Sequence, residues 1–335
     1  MKIINIDSLS NIINNLSILN EKIDFQVGAT FTKYNFKLKK AYTESQLNTF
    51  LQKLKRVVGK KCFIAPIEKP MTLSIYIENE TRQYPKYLHN CNELKNHSSG
   101  SMLFGIDLDG NKVIYNIQKT KSILVAGSTG GGKSVCMNNL IMSLAQYSSD
   151  DVEINLIDLK QVEFSIYAYM KCVKYLAIDF TNAIYILKDV CKEIDKRYKK
   201  MRELGIRQAT TKEFKINITF IDEYAQLTAQ NQSKVDELVS KIASVGRACN
   251  CYLVIATQHP TNKTISNIIR SNIPSRIGLR CTNTAQSVNV LGSRECTELL
   301  GYGDAYLSID GVKDLKRVQV CNITEDDITS KFIKV

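Results

Sequence analysis

From GNKVIYNI (110–117) to the C-terminus, short apolar runs alternate with longer stretches in which apolar residues recur every three or four positions. Ser122–Ala126, Glu153–Asp158, Ile216–Asp222, Cys251–Ala256 and Ser275–Arg280 are almost unbroken apolar runs, each predicting a strand buried on both faces. A closing pair of strands is predicted near Ala305–Ile309 and Arg317–Val320. Between the runs, Lys133–Ala145, Thr181–Leu204, Ser233–Ala248, Ile265–Ser271 and Thr284–Leu291 carry helical spacing. Strands alternating with helices predict a mostly parallel sheet with helices on both faces.

The first third follows another rule. Residues 7–20 fit a short amphipathic helix, and Asp24–Leu38 alternates apolar and polar residues as a half-buried strand pair does. TESQLNTFLQKLKRVVG (43–59) opens on a good cap and repeats apolar residues at helical spacing. CFIAPI (62–67) and MTLSIYIEN (71–79) read as strands separated by a proline-bearing turn, and NHSSGS (96–101) reads as a polar hinge. The expected organisation is an N-terminal helical segment over 1–25, a smaller α+β lead-in domain over 26–112 and an α/β domain over 113–335.

Composition narrows the class. The 335 residues are 44% hydrophobic and 23% charged, ordinary for a globular protein. No window approaches the ~18 consecutive apolar residues of a spanning helix, and the N-terminus is too polar for a secretory signal. The expectation is a soluble protein of the bacterial cytoplasm without an intrinsic membrane span. The ten cysteines are scattered with no CxxC pair. His89, Cys91 and His97 come nearest to a ligand cluster, but free buried thiols fit the spacing better. A formal charge of +12 favours an anionic polymer or surface as partner. The densest basic stretches are Lys53–Lys61 and Lys192–Arg207; the second interleaves acids at helical spacing, as a solvated helix face also would.

Three polar junctions carry candidate chemistry. Gly127, Ser128, Thr129, Gly130, Gly131, Gly132, Lys133 and Ser134 fill G-x-x-x-x-G-K-[ST] completely, after an apolar strand and before a helix. Glycines there let backbone N–H groups turn onto phosphates, and the helix N-terminus, including Val135, adds partial positive charge. Lys133 is expected on the β- and γ-phosphates of ATP and the Ser134 hydroxyl on Mg²⁺. A parallel sheet that begins at such a loop is the RecA-like P-loop architecture. The strand INITFIDEYAQL delivers Asp222, expected to orient Mg²⁺, and Glu223, expected to polarise the attacking water. LVIATQHP places Gln258 at a third strand end, suited to sensing the γ-phosphate or a plain turn residue before proline.

In this order the chain resembles the motor domain of FtsK/SpoIIIE-type DNA translocases and the related coupling ATPases of Gram-positive conjugative elements. The resemblance is carried by LVAGSTGGGKSVCMNNLIMSL, INLIDLKQVEFSIY, EIDKRYKKMRELGIR, ITFIDEYAQL, VDELVSKIASVGRACNCYLVIATQHP, IIRSNIPSRIGLR and ELLGYGDAYL. VGATFTKYNFKL and GIDLDGNKVIYNI also resemble that family's lead-in domain, so the likeness runs over roughly residues 26–327. It implies a homo-oligomeric ring, a hexamer, with ATP between subunits and double-stranded DNA in the channel. It also implies an arginine delivered in trans to the γ-phosphate: Arg247 in SVGRACN, or alternatively Arg276 in IPSRIGLR.

The chain departs from the family in its DNA-facing loops. His259 stands where an arginine is expected, and CTNTAQSV (281–288) lacks lysine and arginine. A duplex carries one charge per ~1.7 Å of axis, so such losses weaken the grip. Arg280, Lys263 and Arg270 are the compensating candidates. The sequence stops without the family's winged-helix reader and without its membrane anchor, which fits a plasmid, phage or transposon product used in transfer or partition. The expected function is translocation of duplex DNA without strong sequence preference. The alternatives are a coupling ATPase for single-stranded DNA or protein export, and a nucleotide-gated scaffold. A relaxase, replication or membrane-channel protein is the expected recruiting partner.

Overall fold

The computed structural model of the chain describes residues 19–38, 40–65 and 71–332. Its strands are β1 (Leu19–Val27), β2 (Phe31–Leu38), β3 (Cys62–Ile64), β4 (Thr72–Glu78), β5 (Ser101–Asp107), β6 (Lys112–Asn116) and β7 (Ile123–Ala126). They continue with β8 (Val152–Ile157), β9 (Val173–Ala177), β10 (Ile216–Ile221), β11 (Cys251–Thr257), β12 (Ser275–Leu279), β13 (Asp304–Ser308) and β14 (Lys316–Gln319). The helices used below are α1 (Glu44–Val58), α2 (Lys133–Leu144), α3 (Phe180–Leu204), α4 (Tyr224–Gln230), α5 (Gln232–Val245), α6 (Asn267–Asn272) and α7 (Thr284–Leu291).

Two compact units result: Met1–Pro85 with Ile106–Asn111, and Lys86–Gly105 with Lys112–Val335. The units divide at Asn111, beside the limit expected at 112, and also at Pro85. The polar-looking stretch after it carries Tyr87, Cys91 and Leu94, all buried, and the Tyr87 hydroxyl donates to Ser143 of α2 at 3.4 Å. Most of the expected helix over 7–20 lies outside the described residues, and Leu19 and Asn20 open β1. Residues 19–25 are thus strand, not helix.

The smaller unit is an antiparallel sheet in the order β1-β2-β4-β3. Helix α1 starts at a reciprocal capping box between Thr43 and Gln46 and stops at Gly59, whose φ of 66° is left-handed. Its stripe of Leu47, Phe50, Leu51 and Leu54 buries against Tyr34, Phe36, Leu73, Ile75 and Ile77.

The larger unit holds a ten-stranded sheet, order β6-β5-β14-β13-β12-β7-β11-β10-β8-β9. From β9 to β12 the neighbours are parallel; β12, β13 and β14 pair antiparallel. The unbroken apolar runs are explained by their place: β7, β10 and β11 lie inside the sheet and every residue is buried. On one face Leu124, Ala126, Leu253 and Ile255 pack with Ile186, Val190 and Ile194 of α3 and Val235, Val239 and Ile242 of α5. Residues of the other parity, Ile123, Val125 and Val254, are equally buried, and α2 packs on β7. No helix among the described residues is long and apolar enough to cross a membrane.

Sequence reading missed β5, β6, β9 and α4. Strand β9 is the sheet edge, where a half-exposed VKYLA needs no apolar run. The neighbouring strands β8, β10, β11, β7 and β12 are parallel and all end on the same side. Five consecutive carboxyl-end loops of parallel strands meet there, the usual position of a ligand site in an open α/β sheet.

Candidate nucleotide site

The glycine-rich turn joins β7 to α2. Gly132 has φ 101°, open only to glycine at low cost, and a Cβ there would come within 2.7 Å of the Gly303 Cα. A Cβ on Gly127 would sit 2.5 Å from the Leu279 Cβ. The turn is fastened from outside. Ser128 N donates to the Arg280 carbonyl at 2.8 Å, and Tyr302 N and Gly303 N donate to the carbonyls of Gly130 and Gly131 at 3.1 and 2.8 Å. Carbonyls are thereby turned outward, while the first N–H groups of α2, from Lys133, Ser134 and Val135, have no acceptor within their own helix. That is an anion cradle.

Next to it, β10 ends in Asp222 and Glu223. Lys133 is buried and its Nζ donates to Asp222 Oδ1 at 2.5 Å and to the Asp222 carbonyl at 2.8 Å. Burial pushes the Asp222 carboxyl up from its ordinary value, opposed by the Lys133 charge. Glu223 is held by β11: Thr257 Oγ1 donates to its Oε1 at 2.7 Å, and Gln258 N to its Oε2 at 3.0 Å. The Gln258 side chain accepts from Thr129 Oγ1 of the glycine-rich turn at 3.1 Å. Lys133, Asp222, Glu223 and Gln258 thus form one connected constellation with the turn.

Four residues, Asp158, Lys160, Glu163 and Thr257, escaped the sequence reading. The Asp158 carboxylate, at the end of β8, accepts from Lys160 N, Gln161 N, Glu163 N and Phe164 N at 2.8–3.1 Å. That folded loop brings Glu163 Oε1 to the Ser134 hydroxyl at 2.6 Å and Lys160 Nζ to 3.8 Å from Glu223 Oε2. The fourth is Thr257, fully buried, whose oxygen also accepts from His259 N at 3.1 Å. The only signal for the β8 loop is an acid closing an apolar strand, the same grammar as Asp222.

The donor set near Ser134 consists of hydroxyl and carboxylate oxygens, the hard ligands that suit Mg²⁺. Mg²⁺ binds through one or two such groups plus phosphate and water, so Ser134 and Asp222 fit it. Among the described residues no group of three His, Cys, Asp or Glu side chains forms a metal site, and all ten cysteines are buried.

The basic candidates separate. Arg247, in the turn after α5, is exposed. Arg276 donates to the carbonyls of Val290 and Arg270 at 3.0 and 2.9 Å, tying the ends of α7 and α6 together, and burial lowers its pKa. Arg270 donates to Asn262 Oδ1 at 3.0 Å and so braces its own loop. Arg280 lies along Gly301, beside the glycine-rich turn. Lys263 and His259 are exposed. Within the basic stretch of α3, Arg197 is buried and donates to the carbonyls of Lys215 and Cys249, both at 2.9 Å, so that helix is not simply a solvated face.

Comparison with known proteins agrees with this geometry. The FtsK/SpoIIIE family model matches residues 89–294. The chain is 31% identical over 283 residues to DNA translocase FtsK of Clostridium tetani, covering 79% of this chain and 38% of that protein. For FtsK of Helicobacter pylori strain J99 the identity is 33% over 288 residues, covering 81% and 34%. For DNA translocase SftA of Bacillus subtilis it is 31% over 281 residues, covering 79% and 29%. The chain spans about a third of the length of these relatives. Its fold is similar to that of the pCW3 conjugation coupling protein TcpA, in monomer form with ATPγS. That match has a TM-score of 0.66 at 20% identity, covering 91% of this chain and 89% of TcpA. The cytoplasmic domain of the Thermomonospora curvata type VII secretion ATPase EccC matches with a TM-score of 0.59 at 21% identity, covering 69% of this chain and 30% of that one. The fold shared with these structures is mixed α/β on a large, mostly parallel sheet.

Proposed function

Because the chain belongs to the FtsK/SpoIIIE family, we propose that it is an ATP-hydrolysing motor that moves double-stranded DNA without strong sequence preference, assembled as a hexameric ring. The observation that carries the reading is the joining of Lys133, Asp222, Glu223, Gln258 and Thr129 through hydrogen bonds at one end of the sheet. Backbone amides of residues 127–135 bind the triphosphate, and Lys133 leaves Asp222 for the β- and γ-phosphates. Glu223 takes a proton from the attacking water, and Gln258 reports the γ-phosphate to the loop beyond it. Ser134 and Asp222 would hold Mg²⁺, which when bound neutralises charge on the phosphates. Arg247, exposed in the turn after α5, supplies the guanidinium to a neighbour's γ-phosphate.

The +12 formal charge supports a polyanionic cargo. Arg270 is engaged internally and Arg280 sits by the nucleotide, so the grip on DNA falls to Lys263, His259 and the rest of the basic surface. That thin set keeps single-stranded DNA as the second reading. We expect the protein to act in the cytoplasm, brought to a membrane channel, relaxase or replication protein for transfer or partition of a mobile element. The test is phosphate release by the purified chain with linear duplex, with single strand of the same sequence, and with neither. A several-fold rise with duplex alone is expected. A rise only with single strand would move the cargo to the second reading, and equal rates in all three would overturn the motor.

A further inference from the structure

The turn that fastens the glycine-rich loop contains an unexplained side chain. Gly301, Tyr302 and Gly303 all have left-handed backbones, with φ of 81°, 52° and 86°. Glycine adopts that region without penalty, but a bulky aromatic residue does so at a cost and is rare there. Among the described residues five non-glycines have positive φ, and Tyr302 is the only aromatic one. Its peptide groups are fully committed. The N–H donates to Gly130 O at 3.1 Å, and the carbonyl accepts from Gln319 Nε2 at 2.8 Å. Asp304, two residues on, is locked by a buried pair with Arg317 at 2.6 Å. The backbone is thus pinned beside the phosphate cradle, and a glycine would satisfy every one of these bonds.

What glycine would not supply is the side chain of a residue that is 67% exposed. Packing therefore does not account for it. On the same rim, Arg280 runs along Gly301: a Cβ at Gly301 would stand 3.6 Å from its Nη1. A rigidly mounted aromatic face, one residue from the loop that cradles phosphates and bordered by a cation, suits a flat π-system attached to a polyphosphate. We propose that Tyr302 is the platform on which the purine ring of the bound nucleotide stacks. It is a binding residue for the base, separate from the phosphate contacts. The proposal rests on the reading that residues 127–135 hold ATP.

The test measures equilibrium binding of ATP and of inorganic tripolyphosphate, each with Mg²⁺, to the full chain and to Tyr302→Phe, Tyr302→Ala, Tyr302→Gly and Lys133→Ala. Loss of a stacking partner is expected to weaken ATP about tenfold in the alanine and glycine variants, while phenylalanine stays near wild type and tripolyphosphate affinity does not move. Glycine, natural at this φ, keeps the thermal midpoint at or above wild type, so its loss of ATP affinity is not a folding defect. Unchanged ATP affinity in the alanine and glycine variants overturns the proposal, including when DNA-stimulated turnover falls, since Tyr302 would then face another chain. Equal weakening of ATP and tripolyphosphate overturns it too, because the ring would be supporting the loop. If the wild type binds ATP no better than Lys133→Ala does, the nucleotide reading itself fails.

Discussion

Glu223→Gln is expected to bind ATP as tightly as the wild type and to turn it over about 10²–10⁴-fold more slowly. The separation of binding from turnover follows from how Glu223 is mounted. Its carboxylate is an acceptor for Thr257 Oγ1 at 2.7 Å and Gln258 N at 3.0 and 3.3 Å. A glutamine side-chain oxygen can accept from the same donors, so the strand end keeps its shape. What is lost is basicity: an amide does not take a proton from water. Isothermal titration for binding and phosphate release for turnover check both halves. Loss of both together would mean that Glu223 holds the loop rather than acting on water.

Lys133→Met carries the second large effect, on stability as well as binding. Lys133 and Asp222 are 3% and 2% exposed, so solvent does not screen the pair. Removing one partner leaves a buried charge without compensation, a change worth about 3–5 kcal/mol. The pH sign follows from the carboxyl. Burial already pushes Asp222 up, and Lys133 is the largest influence pulling it down; without Lys133 its folded pKa rises further above its unfolded one. A carboxyl raised on folding destabilises above its unfolded pKa and ceases to do so when both states are protonated. The deficit of Lys133→Met relative to wild type should therefore shrink as pH falls toward the ordinary aspartate range and be full at neutrality. Denaturant unfolding at several pH values checks this. Adding Asp222→Asn should recover much of the stability at pH 7 and none of the ATP binding. A deficit independent of pH would assign the loss to packing.

How much of this was visible beforehand depends on whether a feature is local in the chain. The glycine-rich turn was legible because its strand, glycines and Lys133-Ser134 are contiguous, and Asp222-Glu223 because an apolar run ends abruptly in two acids. Central strands were legible for the same reason: β7, β10 and β11 are buried on both faces and need no alternation. The fastening of the turn by Tyr302 and Gly303 was not, since it uses backbone groups far along the chain that carry no residue code. The same holds for Asp158, whose partners are four N–H groups. Arg197 misled the charge reading for a different reason. It falls on the stripe of Val190, Ile194 and Met201, all buried, where a guanidinium can be inside only because it finds carbonyls from elsewhere. Before residue 100, polar composition hid the buried Tyr87, Cys91 and Leu94.

The central claim is that hydrolysis at this strand-end constellation drives the protein along a duplex. The most direct measurement places a third DNA strand as a triplex on a linear duplex and follows its release after ATP is added. Release that requires ATP, occurs wherever along the duplex the triplex is placed, and is absent with Glu223→Gln is the predicted result. ATP consumed at the full DNA-stimulated rate while the third strand stays bound would contradict it.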